Sequence, residues 1–369
     1  MKAVFVLLLA LHGLIHAIGF VKAFKLATID QFQASVTTTS GVLWALACLL
    51  FLLAALLLIF QQDYWSVVAL LAVLLSQVLI VLHWSDAKWG TPVNILVFVL
   101  ATAALANMLF AKNVHNEVVT LFEETKVEAG AILEAEKIQE LPVSVQKWLA
   151  HSAVLGKPIT HTVRLKQRGE MKTTVDGSWM PFSANQYVNL VNPGFVWTTR
   201  VQMVKPVTLL GRDKLYRSES EMRISIEGLY RVVEEGPHEK IDLGAMQRFL
   251  GEMCWYPSFA VSKFVRWEEV DSRSAKATLR LGDKEVSGLF VFSEEGKLLT
   301  FEADRYYGGT EDSKKEKWII TIDSYKEFKG RNIPNKCIAM WKLETGDFTW
   351  LKLEILEVDY NTTHEYESV

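Results

Sequence analysis

Val93–Ala111, with the sequence VNILVFVLATAALANMLFA, is the stretch that decides how this chain is organised. Its residues are almost all apolar, and at about 1.5 Å rise per residue a helix of this length just crosses a hydrocarbon core of about 30 Å. Up to its end the sequence has the composition of a membrane protein. After Lys112 it has the composition of a water-soluble protein. We therefore expect two parts that fold in different solvents.

The distribution of charge supports this division. Residues 3–111 contain only six Asp, Glu, Lys or Arg side chains, although 22% of the 369 residues are charged. A segment with so few charges cannot stay soluble alone, and a highly charged segment cannot lie in lipid. Acidic and basic residues nearly balance after Lys112. No basic surface is therefore expected, and we predict no nucleic-acid partner.

Three further apolar runs precede this stretch, at Ala3–Val21, Gly41–Phe60 and Tyr64–Trp84. The first follows a single lysine, as a signal peptide would, but its length, its two histidines and its lack of a small-residue cleavage site favour a membrane span. Gln61–Asp63 is so short a turn that the second and third runs must be antiparallel neighbours. We predict four spans within residues 1–111, with the lipid bilayer as a partner.

Basic residues near the spans indicate an orientation. The loops on one side contain Lys22, Lys25 and Lys88, and the other side has Lys2 and Lys112 close to the membrane. Because lysine and arginine accumulate on the cytoplasmic side, this difference of one charge favours a soluble domain outside the cytoplasm.

Three histidines lie inside the predicted spans. His12 and His16 are one helical turn apart, and His83 ends a span that runs in the same direction, so we expect them to share an interface. A polar side chain in a span costs free energy unless it is paired, which makes these residues functional candidates. Hydrogen bonding between helices is the structural interpretation. The alternative is a membrane redox or metal protein in which they serve a metal, a haem or a quinone.

The soluble part begins with residues 112–160, which we interpret as a helical linker. Residues 161–369 then show the two-residue alternation of half-buried strands, for example at Phe195–Met203, Ala275–Leu281 and Phe348–Val358. Turn signals separate ten to twelve short runs of this kind. Such close spacing requires antiparallel neighbours, because parallel pairing needs long crossover connections.

One helix is expected among the strands. Asp242 is a suitable N-cap, apolar residues recur three or four positions apart over Leu243–Met253, and Pro257 ends the helix near Tyr256. The predicted fold class is a four-span, multi-pass α-helical membrane domain followed by an α+β domain. That second domain is a curved antiparallel sheet, or half-barrel, with one inserted helix.

Several motifs carry a resemblance to a known family. From Gly169 onward the sequence contains GEM, DGSWMPFSANQY and NPGFVW, followed by RFLGEMCWYP at Arg248–Pro257 and YKEFKGRNIP at Tyr325–Pro334. Together they resemble an uncharacterised bacterial family of membrane-anchored proteins, over roughly Pro142 to Tyr360. The resemblance implies a bacterial cytoplasmic (inner) membrane location and no assigned activity. The layout is also similar to lipoprotein-carrier (LolA/LolB-like) folds, which implies an open barrel closed by helices that holds acyl chains.

Enzyme signatures are absent from the sequence, which has no GxSxG, HExxH, GxGxxG or Walker motif. An enzyme is therefore disfavoured, and no cofactor is predicted. Glu252 is a carboxylate on an apolar helix, and Arg305 beside two tyrosines suits a headgroup phosphate, although a salt bridge at the rim would explain either residue. Abundant tryptophans fill a core or line an apolar pocket. The candidate ligand-binding residues are Glu252, Trp255, Arg305, Tyr306, Trp197 and Trp318.

These observations predict a membrane-tethered, non-catalytic protein that holds a lipid, an acylated protein or another apolar ligand in the cavity of a curved sheet. The redox or metal protein with His12, His16 and His83 is the alternative, and a hydrolase is a weaker third hypothesis. Cys254 and Cys337 are interpreted as buried free thiols, since a disulfide would need an oxidising compartment and suitable geometry.

Overall fold

The structure is a computed structural model that describes residues 2–29, 32–123, 125, 131–205, 207–308, 310 and 312–366. The chain divides into two compact units, Met1–Lys112 with Glu227–Leu229, and Asn113–Ile226 with Tyr230–Val369. Each unit has a hydrophobic core of its own.

Four of the helices in the described part of the chain are long and apolar enough to cross a membrane, as predicted. The helices are α1 (Lys2–Ala23), α2 (Thr38–Ile59), α3 (Trp65–Leu82), the short α4 (Trp84–Ala87) and α5 (Gly90–Glu123). The predicted third span ran on to Trp84, but α3 ends at Leu82 and a separate turn of helix follows. The predicted fourth span is the apolar part of α5, which continues well beyond Ala111.

Small side chains form much of the interior of this bundle, and large apolar ones lie on its outside. The fully buried small residues include Ala54, Ala69, Ala72 and Ala101. Leu49 and Leu74, in contrast, are 63% and 59% exposed. At Gly13 an added Cβ would lie 2.8 Å from the Cβ of Phe51, so α1 and α2 approach closely there. This arrangement is typical of helices packed in lipid, where burying a leucine gives no advantage.

The second unit contains the antiparallel sheet predicted from the alternation. Its strands are β1 (Thr162–Met171), β2 (Met180–Asn189), β3 (Gly194–Val204), β4 (Val207–Tyr216), β5 (Glu219–Ile226), β6 (Tyr230–Glu235), β7 (Val265–Asp271), β8 (Ser274–Leu281), β9 (Lys284–Phe292), β10 (Leu298–Tyr306), β11 (Lys315–Phe328), β12 (Arg331–Leu343) and β13 (Gly346–Tyr360). The helices of this unit are α6 (Val143–His151) and α7 (Glu239–Gly251), and 3₁₀ turns lie at Ala135–Ile138, Glu252–Trp255 and Pro257–Val261.

The described strands number thirteen, more than the ten to twelve expected. They form one sheet in the order β6-β5-β4-β3-β2-β1-β13-β12-β11-β10-β9-β8-β7, and every pair is antiparallel. The two edge strands, β6 and β7, are mostly exposed and carry several charged residues. Their alternation of apolar and polar residues is therefore weak, which explains why the sequence pattern underestimated the number of strands.

The order of the strands explains the position of α7. The chain moves outward from the centre of the sheet to β6 at one edge and resumes with β7 at the other edge. The connection between them must cross the sheet, and α7 with the two following 3₁₀ turns makes that crossing. This is the inserted helix of the predicted half-barrel. It begins at Glu239 after His238, so the prediction of Asp242 as N-cap is wrong.

Asp242 lies within α7 and forms tertiary contacts instead of capping the helix. Its side chain is buried, accepts a hydrogen bond from the main-chain N–H of Ser220 at 2.6 Å and pairs with Lys284 at 2.7 Å. These contacts attach the first turns of α7 to β5 and β9, so the helix is fixed across the sheet by polar contacts as well as by its apolar face.

Glycines allow aromatic rings to pack against the sheet in this core. An added Cβ at Gly288 would overlap the ring of Phe301, and one at Gly251 would lie 2.8 Å from the same ring. Phe301 is almost completely buried between α7 and the sheet. A larger residue at either position would displace this ring, at a cost typical of overpacked cores.

Candidate ligand-binding cavity

A cavity of about 480 Å³ lies within the second unit, between the sheet and the segment that contains α7. Strands from both halves of the sheet and the helix contribute its walls. Protein interiors are close-packed and rarely contain a space of this size. The volume falls within the range of about 300–1,000 Å³ that is usual for small-molecule sites.

Most of the cavity wall is apolar. Aliphatic side chains and methionines alternate with aromatic rings along the inward faces of the strands. The aliphatic and methionine residues of the wall include Met180, Leu209, Met222, Ile224, Ile320 and Leu353. An apolar wall of this kind favours a ligand with a large hydrocarbon surface, because burial of apolar area is the main source of affinity.

All six candidate residues from the sequence line this cavity. They come from four separate elements and are brought together by the fold. Trp197 lies on β3, Arg305 and Tyr306 end β10, Trp318 lies on β11, and Glu252 and Trp255 form the 3₁₀ turn after α7.

A chain of hydrogen bonds runs beside the apolar wall. Trp197 donates its Nε1–H to Gln167 Oε1 at 2.8 Å, and Gln167 donates from Nε2 to Gln186 Oε1 at 2.9 Å. Gln186 in turn donates from Nε2 to Glu252 Oε2 at 2.5 Å. Both glutamines are fully buried. The chain therefore satisfies polar groups that would otherwise be costly to bury.

Arg248 on α7 completes this network. Its Nε donates to Glu252 Oε1 at 2.7 Å, and a terminal nitrogen donates to Asp213 Oδ2 at 2.6 Å. Its guanidinium also packs over the rings of Phe195 and Trp197. Burial opposes the charge, but the two carboxylates outweigh it and raise the pKa of Arg248 above its usual value. Glu252 is thus part of a buried ion pair and not of a salt bridge at the rim.

Arg305 lies in the same cavity, but in the described part of the chain no carboxylate contacts its guanidinium to offset the cost of burial. Its Nε donates to the carbonyl oxygen of Gly244 at 3.1 Å, and the guanidinium carbon lies 4.6 Å from the ring centre of Trp318. Burial lowers the pKa of Arg305 to about 10, and the nearby Asp213 carboxylate offsets this only in part. Within the ranges that the structure describes, this guanidinium makes no ion pair.

Four polar residues of the site were missed from the sequence: Gln167, Gln186, Asp213 and Arg248. A signal existed for Arg248, because it precedes Glu252 by four positions on a helix and such pairs face one another. The glutamines gave no local signal. Their inward direction depends on the register of β1 against β2, where Gln167 is opposite Ala184 and Gln186 opposite Leu165.

Cys254 and Cys337 both line the cavity as free, buried thiols. Burial raises the pKa of Cys254 well above its usual value and that of Cys337 to about 12. Both side chains are therefore neutral and act as small apolar groups in the wall.

The first unit has a buried polar cluster of its own. His12 Nε2 lies 3.0 Å from Asn94 Oδ1, and His16 Nε2 lies 2.7 Å from Ser76 Oγ. Asn94 also donates to Ser76 at 2.9 Å and to Gln77 at 3.0 Å. These contacts join α1, α3 and α5, as the structural interpretation of the two histidines expects.

His83 does not join this cluster. Its Nδ1 bonds the carbonyl oxygen of Leu79, and its ring packs against Phe32 and Trp44. The ring of Trp44 also contacts His16 at 5.2 Å, so an indole lies where the expected interface would have placed two imidazoles. In the part of the chain that is described, no group of three or more His, Cys, Asp or Glu residues has an arrangement suited to a metal ion. The redox or metal hypothesis stays an untested prediction.

Comparison with protein families identifies a family for the second unit. The model of a family of unknown function, DUF6920, matches residues 139–360. This range includes all thirteen described strands with α6 and α7, and it agrees with the extent of the resemblance found in the motifs. Comparison with curated proteins gives no match.

Several solved structures align with the chain. A DUF1329 family protein from Desulfovibrio piger is 10% identical with a TM-score of 0.36, and the alignment covers 61% of this chain and 95% of that one. A LolA superfamily protein from Nitrosomonas europaea is 11% identical with a TM-score of 0.33, covering 60% and 94%. A β-barrel-like DUF1849 protein from Brucella abortus is 9% identical with a TM-score of 0.24, covering 56% and 100%. Likenesses this distant carry no information about a ligand.

Proposed function

We propose that this chain, which belongs to the DUF6920 family of unknown function, is a membrane-tethered, non-catalytic binding protein. It holds a lipid, an acylated protein or another apolar ligand in the cavity beside α7. The four apolar helices supply the tether. In this proposal the membrane is the bacterial inner membrane, and the cavity lies on its non-cytoplasmic side.

The cavity is the observation that carries the proposal. It combines a volume of about 480 Å³ with walls made mostly of aliphatic and aromatic side chains. A core selected only for stability would fill this space, because cavities cost free energy in proportion to their volume. Trp197, Trp255 and Trp318 line the space without filling it, and we propose that they contact the ligand.

Reduction of the cavity tests the proposal. Ala339 is a small residue of the wall on β12, and Ala339→Phe would place a ring in the space. Ile338 precedes it on the same strand and lines a shallow depression elsewhere. Ile338→Phe is therefore a matched control with the same added ring outside the cavity.

Full-length protein should be purified in a mild detergent, and its bound lipids identified by native mass spectrometry. We expect the wild type and Ile338→Phe to retain an apolar ligand, and Ala339→Phe to lose most of it. Thermal unfolding should confirm that both variants are folded, since overpacking costs about 1–3 kcal/mol. Equal ligand content in all three proteins, or none in the wild type, would refute the proposal.

A further inference from the structure

We infer that the ligand of this cavity is an anionic amphiphile, whose carboxylate or phosphate head binds the guanidinium of Arg305 while its tail lies against the apolar walls. The inference rests on the proposed function, because it names the chemical class of ligand that the cavity holds. It follows from the contacts of Arg305, from the other charges of the cavity and from the chemistry of guanidinium groups.

Arg305 has hydrogen-bond donors to spare. It ends β10 and lines the cavity, with one hydrogen bond from Nε to the carbonyl of Gly244. Its flat face packs against Trp318 and Trp341, with distances of 4.6 and 5.7 Å from the guanidinium carbon to the ring centres. A guanidinium has five N–H donors in a rigid fork. Across the described residues, the donors on its two terminal nitrogens have no partner.

The other two arginines of the cavity wall, in contrast, have carboxylate partners. Arg248 bonds Glu252 and Asp213, and Arg212 forms ion pairs with two glutamates at 3.0 and 2.9 Å. Each of these arginines is thus held between two carboxylates of the protein. Arg305 has no carboxylate in contact, although a charge at a poorly solvated site is costly unless it is paired.

The charges that line the cavity are mainly positive. The cationic residues of the described wall are Lys172, Arg212, Lys240, Arg248 and Arg305, whereas its carboxylates are Asp213 and Glu252. Both carboxylates are already bonded to Arg248. Arg212 is offset by Glu117 and Glu221, which lie outside this wall, so the positive excess comes from Lys172, Lys240 and Arg305. The cavity therefore favours a negative ligand and disfavours a positive one.

The positive charge is concentrated around Tyr306, the neighbour of Arg305. The Nζ of Lys240, on the first turn of α7, lies 5.2 Å from the centre of this ring. The Nζ of Lys315, on β11, lies at the same distance. Lys240 and Lys315 thus both lie beside Tyr306, and of these residues Lys240 and Tyr306 line the cavity together with Arg305. This positive charge would attract a negative head group from solution.

Guanidinium chemistry then defines the head group. The planar fork of arginine matches the two oxygens of a carboxylate or a phosphate and forms paired, charge-assisted hydrogen bonds with them. Two tryptophans hold the Arg305 fork in place from one side, which reduces the entropy lost on binding. The apolar wall that continues from this point provides the surface for a hydrocarbon tail.

Photolabelling of the full chain in phosphatidylcholine nanodiscs tests the inference. The probes are a palmitic acid analogue with a diazirine in its tail, its methyl ester, and a monoacyl glycerol phosphate with the same tail. Labelled peptides are mapped by mass spectrometry. We expect the free acid or the phosphate to label the cavity wall at a concentration about tenfold or more below that needed for the ester. The stronger of the two anionic probes identifies the head group.

Three variants identify the residue responsible. Arg305→Met should abolish the preference for the anion and leave labelling by the ester unchanged, while Arg305→Lys should keep part of the preference. Lys317→Met is the matched control. Lys317 lies on the adjacent β11 and pairs with Asp304 at the surface, so its loss removes one positive charge outside the cavity.

The outcomes separate this inference from the proposed function. Equal labelling by acid, phosphate and ester in the wild type, or a preference that persists in Arg305→Met, overturns the inference but leaves an apolar ligand in the cavity. Absence of label from the cavity wall with every probe overturns the proposed function, and the inference with it.

Discussion

Two buried polar clusters in the described part of the chain differ in whether their hydrogen bonds are complete. In the helical bundle, Asn94 bonds His12, Ser76 and Gln77, and Ser76 also bonds His16. In the cavity of the sheet domain, Arg305 keeps donors that no described residue accepts. A network in which every polar group has a hydrogen-bond partner can be explained by its contribution to the fold. A polar group with unused donors suggests that a ligand provides the missing acceptors.

The same distinction separates two arginines of the cavity itself. Arg248 touches Asp213 and Glu252, and these carboxylates raise its pKa, whereas burial lowers the pKa of Arg305 to about 10. Both side chains line the same space and pack on aromatic rings. In our proposal Arg248 therefore stabilises the fold, and Arg305 binds the ligand.

The largest effect is expected from opening the complete network of the cavity. Glu252→Leu leaves Gln186 without its acceptor and leaves Arg248 with only one of its two carboxylates, Asp213. Removal of one member of a buried ion pair costs about 3–5 kcal/mol. We expect the free energy of unfolding of the sheet domain to fall by that amount. Hydrogen exchange of β-strand peptides in denaturant, followed by mass spectrometry, measures it.

Glu354→Leu is the control for this change. Glu354 pairs with Arg168, whose side chain is 61% exposed. Pairs of this kind contribute about 0–1 kcal/mol. If Glu252→Leu lost as little stability as is expected for Glu354→Leu, the Arg248 network would not stabilise the fold. The contrast between Arg248 and Arg305 would then fail.

The sequence predicted the elements of this fold well, because they depend on local patterns. Apolar runs and two-residue alternation predicted the four long helices, the antiparallel sheet and the helix that crosses it. The predictions of the edge strands and of the first residue of α7 were less accurate. At Asp242 a typical N-cap residue instead bonds Ser220 and Lys284 from within the helix. Tertiary contacts overrode the local preference there.

The site was only half predictable, for a related reason. Aromatic and charged residues such as Trp318 and Arg305 were conspicuous in apolar strands, and they do line the cavity. Gln167 and Gln186 were not, because strand register decides which face a residue occupies, and register depends on the partner strand. The position of His83 was predicted from helix direction alone. Helix direction does not show that the rings of Trp44 and Phe32 pack around His83.

A smaller effect is expected from opening the network in the bundle. Asn94→Leu removes the hydrogen bonds to His12, Ser76 and Gln77, and such bonds in membranes are worth about 0.6–2 kcal/mol. We expect the full chain to unfold at a lower mole fraction of SDS, and photolabelling of the cavity to be unchanged.

Thr102→Ala is the control for the bundle, because the one described hydrogen bond of the Thr102 side chain is to the carbonyl of Phe98 on its own helix. Its unfolding should match the wild type. If Asn94→Leu instead left stability intact and abolished a bound metal or haem signal, the histidines would belong to a functional site and the comparison between the two clusters would be reversed.

The smallest effect concerns Arg212, the third arginine of the wall, whose partner Glu221 titrates. Burial opposes the charge of Glu221, but its hydrogen bond from Arg212 and the charge of Lys214 outweigh it and lower the pKa. A carboxylate with a lowered folded-state pKa stabilises the fold above its unfolded value of about 4.3, and this stabilisation is lost as the pH falls through the folded value. We expect Glu221→Gln to cost about 1 kcal/mol at pH 7. The difference from the wild type should disappear at acidic pH.

Glu234→Gln separates this effect from a general loss of negative charge. Glu234 pairs with Arg231 and Arg223, and all three side chains are largely exposed. We therefore expect its thermal unfolding to match that of the wild type at every pH. If Glu221→Gln behaved in the same way, the carboxylates around Arg212 would not constitute a stabilising network. Their presence would then no longer distinguish Arg212 from Arg305, and the assignment of Arg305 to the ligand would rest on the labelling experiment alone.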